Sequence, residues 1–124
     1  MMDTSLGIEK IENDDVALFL ISGVIDVYSV SDFKNALIKS IATHHTRIVI
    51  DFSELDFIDS TGLGVLVSAI KRERAVRGRL VLVIKSDNIK RIFEITSLDR
   101  IISIYETIED AFEDLEPIAS KVGL

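Results

Sequence analysis

Three uninterrupted apolar runs punctuate this chain. Val16-Ala17-Leu18-Phe19-Leu20-Ile21 is the first, Arg47 to Phe52 contains the second, and Leu80 to Ile84 is the third. A strand with water on one side alternates apolar and polar residues, whereas a strand apolar at every position is buried on both faces. Such strands need a layer of structure above the sheet and another below it.

The segments between the runs have helical period. Ser29-Val30-Ser31-Asp32 has the Ser-x-x-Asp form of a capping box, and Phe33, Leu37 and Ile41 then share one face to about Thr43. Leu63, Leu66, Val67 and Ile70 predict a helix that should stop at Gly78, with Arg72, Arg74 and Arg77 near its negative end. Asp87 is placed to cap a short helix carrying Ile89, Ile92 and Phe93, and a short strand is expected at Ile101 to Ile104. Thr107-Ile108-Glu109-Asp110 opens a last helix with Ile108, Ala111, Phe112 and Leu115 inward, which Pro117 ends or kinks. Ahead of the first run, Gly7 to Ile11 reads as an edge strand joined to it through an Asn13-Asp14-Asp15 turn. This order predicts an α/β domain: a mixed sheet of about five strands, an N-terminal hairpin plus parallel pairs, covered by about four helices.

At 124 residues, one domain over residues 1–124 is expected. The 21 Asp and Glu outnumber the 14 Lys and Arg for a net charge of −7, which disfavours nucleic acid and anionic membrane as partners. No cysteine is present, so disulfides, thiolate zinc sites and thiol catalysis are excluded. With no basic-then-apolar leader and no run long enough to span a bilayer, a cytoplasmic protein is expected.

The densest polar chemistry is DFIDSTGLGVLV, residues 56 to 67, set between a buried strand and a buried helix. The segment Ser53 to Asp59 should connect a strand's carboxyl end to a helix's amino end, where open α/β sheets bind ligands and partners. Asp59, Ser60 and Thr61 are all good capping residues, so Ser60 is either the cap or an exposed hydroxyl aimed along the helix axis. Capping alone gives no reason for Gly62 and Gly64, each costing about 1 kcal/mol relative to Ala inside a helix. Small residues there would let another backbone or a bulky group approach. A phosphate on Ser60 would gain from the free N–H groups and the positive helix end, and its charge of about −1.5 to −2 would alter any surface docking on the turn. Asp56 and Asp59 would oppose it with like charge unless they point away.

Other constellations are poorer. Gly62-Leu63-Gly64 lacks both the longer glycine series of a dinucleotide site and the Lys of a P-loop. Ser60 has no Gly-x-Ser-x-Gly elbow, and the histidines, His44 and His45, belong to the end of the first helix. Asp51, Glu54, Asp56 and Asp59 lack EF-hand spacing and read as a solvated acidic loop. Lys71, Arg72, Arg74, Arg77 and Arg79 carry no interleaved aromatics and read as an outer helix face. Glu109, Asp110, Glu113, Asp114 and Glu116 read as the solvent side of the last helix.

Asp56-Phe57-Ile58-Asp59-Ser60-Thr61-Gly62-Leu63-Gly64-Val65-Leu66 resembles the signature of bacterial anti-sigma-factor antagonists, small proteins built on a STAS domain. Gly23-Val24-Ile25-Asp26 is similar to the family's glycine-to-aspartate turn, Ile48-Val49-Ile50-Asp51-Phe52-Ser53 to its central strand, and Ile95-Thr96-Ser97-Leu98 with Glu109-Asp110-Ala111 to its C-terminal pattern. Two departures stand out: Val24 replaces a frequent acidic residue, and Ser97 stands where the family commonly has glycine. The resemblance implies a non-enzymatic partner switch. The unphosphorylated antagonist would bind an anti-sigma factor that is also a serine kinase, freeing a sigma factor for transcription. Phosphorylation of Ser60 would abolish that binding and a PP2C-type phosphatase would restore it. ATP belongs to the kinase, so no cofactor of the chain's own is implied. Asp26, Asp59, Ser60, Thr61, Gly62 and Gly64 would shape the surface that partners read. The alternative is a constitutive STAS scaffold or adaptor in a signalling or transport assembly, with Ser60 only a cap.

Overall fold

A computed structural model of the chain describes residues 5–13, 15–43 and 47–115. Strand β1 (Leu6–Glu12) and β2 (Val16–Ile25) lead into helix α1 (Val30–Ala42), β3 (Arg47–Ile58), α2 (Ser60–Ala75), β4 (Arg79–Val83) and α3 (Asp87–Ile95). A 3-10 turn at Leu98–Arg100, β5 (Ile104–Tyr105) and α4 (Ile108–Leu115) complete the described chain. The five strands form one sheet in the order β1-β2-β3-β4-β5. The β1–β2 pair is antiparallel and the others are parallel.

Both faces of the central strands are covered, as their unbroken apolar character requires. Phe19, Ile21, Ile48, Ile50, Phe52, Leu80, Leu82 and Ile84 face the side packed by α1, α2 and α3. Val49, Val81 and Val83 point the other way, onto Ala111 and Leu115 of α4. Phe52 sits between Phe33 and Phe93, with ring centroids 6.2 and 6.4 Å away.

Local expectations are corrected at several points. Ser53 to Ile58 continues β3 rather than forming a loop, because β2 itself extends through Gly23 to Ile25 and supplies a partner. Register shifts between Leu20 and Ser22 and between Gly23 and Val24 turn the third-residue spacing of buried Phe52, Leu55 and Ile58 into strand geometry. The Ser29 capping box does not form: the Ser29 hydroxyl donates to the Val24 carbonyl at 2.8 Å and accepts the Asp26 amide at 3.0 Å. Ser86, not Asp87, caps α3, accepting the Ile89 amide. Of the strand expected at Ile101 to Ile104 only Ile104 pairs, and β5 runs on to Tyr105, since Ile101 closes the 3-10 turn at Leu98–Arg100. Helix α2 ends at Ala75, before Gly78. Arg77 takes the left-handed position (φ 60°), and the Gly78 amide donates back to the Glu73 carbonyl at 2.6 Å in a Schellman closure. Asp14, His44, His45, Glu116 and Pro117 lie outside the described residues.

Candidate functional site

The carboxyl ends of β2 and β3 lie side by side, with Ile25 opposite Ile58, and the residue after β3 continues the pairing: the Asp59 amide donates to the Ile25 carbonyl at 3.0 Å. This brings the Asp26 turn against the start of α2. Asp59 is the N-cap. Its backbone is extended, and its Oδ1 accepts the amides of Thr61 at 2.9 Å and Gly62 at 3.2 Å as well as the Thr61 hydroxyl. The Thr61 hydroxyl, with help from the Gly62, Thr61 and Val27 amides, holds the Asp59 carboxyl below the ordinary aspartate value against the opposing effect of burial. Asp59 is therefore a fixed carboxylate at neutral pH.

Ser60 is the first helical residue and is exposed. Among the described residues its hydroxyl has no hydrogen-bond partner. Of the two readings left open by the sequence, the cap belongs to Asp59, and Ser60 is the exposed hydroxyl. Two of the amides that a group on Ser60 could have used are already taken by Asp59, so such a group would project into solvent beside a carboxylate.

Asp26 is likewise engaged. Its Oδ1 accepts the Tyr28 amide at 2.9 Å and the Ser29 amide at 3.2 Å, and its carbonyl accepts the Val30 amide at 2.8 Å, so it shapes the entry to α1. That closure leaves Val27 and Tyr28 outside the core, 63% and 92% exposed, and Phe57 is half exposed nearby on β3. These three apolar side chains were not singled out by the sequence. The available signal was a pair of large apolar residues inside a turn closed by Asp26 and Ser29, which cannot reach the core.

The two glycines of α2 do different things. A Cβ on buried Gly62 would lie 2.7 Å from both Ile25 Cγ2 and Ile58 Cγ1, so glycine there lets the helix seat on the ends of β2 and β3. A Cβ on exposed Gly64 would meet nothing within 4 Å. Gly64 instead borders a cleft of about 240 Å³ between α1 and α2, lined also by Thr61, Val65, Ser68 and Lys34, which supplies its cation.

Among the described residues no group of three or more His, Asp or Glu side chains is placed to hold a metal ion. Asp51 is tied to the amide and hydroxyl of Ser53 and, with Glu54, borders a separate cleft against β1 and β2. No described helix is long and apolar enough to cross a membrane.

The anti-sigma-B factor antagonist of Listeria monocytogenes is 39% identical over 103 residues, covering 83% of this chain and 90% of that protein. The fold matches the crystal structure of an anti-sigma factor antagonist from Mycobacterium paratuberculosis with a TM-score of 0.84 at 24% identity, over 92% of this chain and 97% of that one. It also matches the Bacillus cell fate determinant SpoIIAA in its phosphorylated form, with a TM-score of 0.69 at 22% identity, over 90% of this chain and 100% of that one. A family model described as STAS domain matches residues 7–111, and on that match and the Listeria likeness the chain belongs to the STAS domain family, among the anti-sigma factor antagonists that act as regulatory binding proteins rather than enzymes.

Proposed function

We propose that this protein is a phosphorylation-controlled antagonist: its unmodified form binds an anti-sigma factor with serine kinase activity and so releases a sigma factor, and phosphate on Ser60 ends that binding. A PP2C-type phosphatase resets the switch. The observation that carries this reading is the division of labour at the start of α2. Asp59 caps the helix and leaves the Ser60 hydroxyl exposed and unengaged, so a kinase can modify it without removing a stabilising contact.

Charge does the switching. A phosphate of about −1.5 to −2 would stand beside the ionised Asp59, with two of the nearby helix amides already occupied. It would therefore face the partner rather than fold back into the helix end. Val27, Tyr28 and Phe57 supply exposed apolar area at the same end of the sheet, and charge placed within a surface that docks there costs binding through desolvation. The phosphorylated SpoIIAA structure, a STAS-like fold that carries the modification, supports phosphate being compatible with this architecture.

The test combines mass spectrometry and binding. A single phosphate mapped to Ser60 in protein from its native cells, absent in Ser60→Ala, is expected. Ser60→Ala should keep affinity for the anti-sigma factor and Ser60→Asp should lose it. Equal affinity of all forms, or no phosphate under growth, starvation and stress, would leave a constitutive STAS scaffold or adaptor as the better reading.

A further inference from the structure

We propose that the end of the molecule opposite Ser60 carries a second protein-docking surface, which takes a segment combining carboxylates with large apolar side chains. Arg74, Val76, Arg77, Ile95, Arg100 and Ile101 form it. It shares no residue with the Ser60 turn and does not depend on the reading given to that turn.

The placement follows from topology. Helix α2 runs back from the carboxyl end of β3 to the amino end of β4, and α3 runs back from the end of β4 toward the turn that precedes β5. Both helices therefore end at the same edge of the sheet, where the guanidinium of Arg74 donates to the Ile101 carbonyl at 2.9 Å.

Two independent features mark that edge. The first is apolar exposure. Val76, Ile95 and Ile101 are 51%, 75% and 41% exposed, a second group of large apolar side chains distinct from Val27, Tyr28 and Phe57 at the other end. The second is charge. Arg79 is paired with Asp114, but among the described residues Arg74, Arg77 and Arg100 have no ion pair, in a chain where acids outnumber bases 21 to 14. Interaction with the helix dipole accounts for cations in the last turn of α2, yet it does not account for Arg100 on the 3-10 turn. Nor does it explain an arginine at the left-handed position after α2, where glycine is the unstrained residue. Departures from local preference concentrate where function requires them.

A cleft of about 200 Å³ adjoins them, lined by Arg74 and Ile101 of the surface together with Ile70, Leu80, Ile102 and the Asp114-paired Arg79. It can receive one anchoring side chain, while Arg74 beside it and the unpaired Arg77 and Arg100 of the same surface select carboxylates. The exposed apolar side chains here, Val76, Ile95 and Ile101, are aliphatic and offer no aromatic face on which bases could stack, so the occupant is a protein segment and not nucleic acid.

Random-peptide display against the intact protein, with counter-selection on the double variant Arg74→Glu/Arg77→Glu, tests this. The expected pool is rich in Asp and Glu interleaved with Leu or Phe. Its members should shift amide resonances of residues 70–80 and 95–104, and should bind the double variant at least about tenfold more weakly. Retained amide dispersion in the variant shows that it is folded. An enriched pool without acidic bias, affinity unchanged by charge reversal, shifts confined to residues 26–29 and 57–64, or tighter binding of a single-stranded oligonucleotide would each overturn the proposal.

Discussion

Gly62 and Ile25 are packed so closely that a Cβ at position 62 would lie 2.7 Å from Ile25 Cγ2, whereas two residues on, at Gly64, a Cβ would touch nothing. Both glycines lie in α2, so alanine should improve helix propensity by up to about 1 kcal/mol at either one. At Gly62 that gain is outweighed by overpacking against Ile25 and Ile58, which costs about 1–3 kcal/mol. Chemical denaturation should therefore show Gly62→Ala destabilised and Gly64→Ala stabilised. If Gly64→Ala is nonetheless impaired in binding, a partner approaches the helix there; two variants of the same sign would refute the distinction.

The Asp59 cap should be separable from the Ser60 hydroxyl. Asp59→Ala leaves the Thr61 and Gly62 amides without their acceptor and lowers stability, while Ser60→Ala removes no hydrogen bond and leaves stability unchanged. Because Asp59 titrates below its ordinary value of 3.8 in the folded protein, its charge contributes stability above that pH. The contribution disappears as pH falls through the lowered folded-state value. Thermal melts at neutral pH and in acid should show the gap between Asp59→Asn and the parent closing on acidification; a gap independent of pH would show that charge plays no part in the cap.

The apolar runs made the layered architecture legible, because burial on both faces leaves few other folds for strands of that kind. What the sequence concealed depended on partners distant in the chain. Ser53, Glu54 and Asp56 have loop composition, and only the extension of β2 to Ile25, with two register shifts, makes them strand. Ile101 and Ile102 have strand composition, yet the 3-10 turn ahead of them leaves β5 only Ile104 and Tyr105. At the site, the Asp-Ser-Thr order located the helix start to within a residue or so, but three adjacent capping residues could not say which one caps. Glycine spacing marked α2 as unusual without revealing that Gly62 faces the sheet and Gly64 the cleft. The exposure of Tyr28 was hidden for a related reason: it follows from the Asp26–Ser29 closure, a tertiary outcome of where β2 ends.

Arg77 and Ser97 both hold a φ of 60°, where a side chain costs about 1–2 kcal/mol relative to a right-handed residue and glycine costs nothing extra. Ser97→Gly and Arg77→Gly should each raise stability by about 0.5–1 kcal/mol, the gain from relieved strain being offset in part by a more flexible unfolded chain. Urea midpoints would measure this. A gain from Arg77→Gly accompanied by lost binding of acidic peptides would show that the strain is retained for the surface it presents, and a stability loss in either variant would show that the side chain makes a compensating contact.

Glu73 should give this protein a stability that falls as pH rises toward neutrality. Its side chain is 1% exposed on α2, and among the described residues neither carboxylate oxygen has a hydrogen-bond partner. Burial pushes its pKa from 4.5 up to about 7. In the unfolded chain the group ionises near 4.5, so between the two values the folded state holds more protons than the unfolded state, and stability declines with increasing pH. The loss is complete once pH passes the folded-state value, and its size is on the order of 3 kcal/mol. Glu73→Gln keeps the shape and cannot ionise. Denaturation of both proteins from pH 4 to pH 8 should give similar stabilities at the acid end and a Glu73→Gln advantage that grows to its full value above pH 7. Parallel curves across that range would show that Glu73 finds water or a counter-charge when ionised, and that its burial is not a thermodynamic burden.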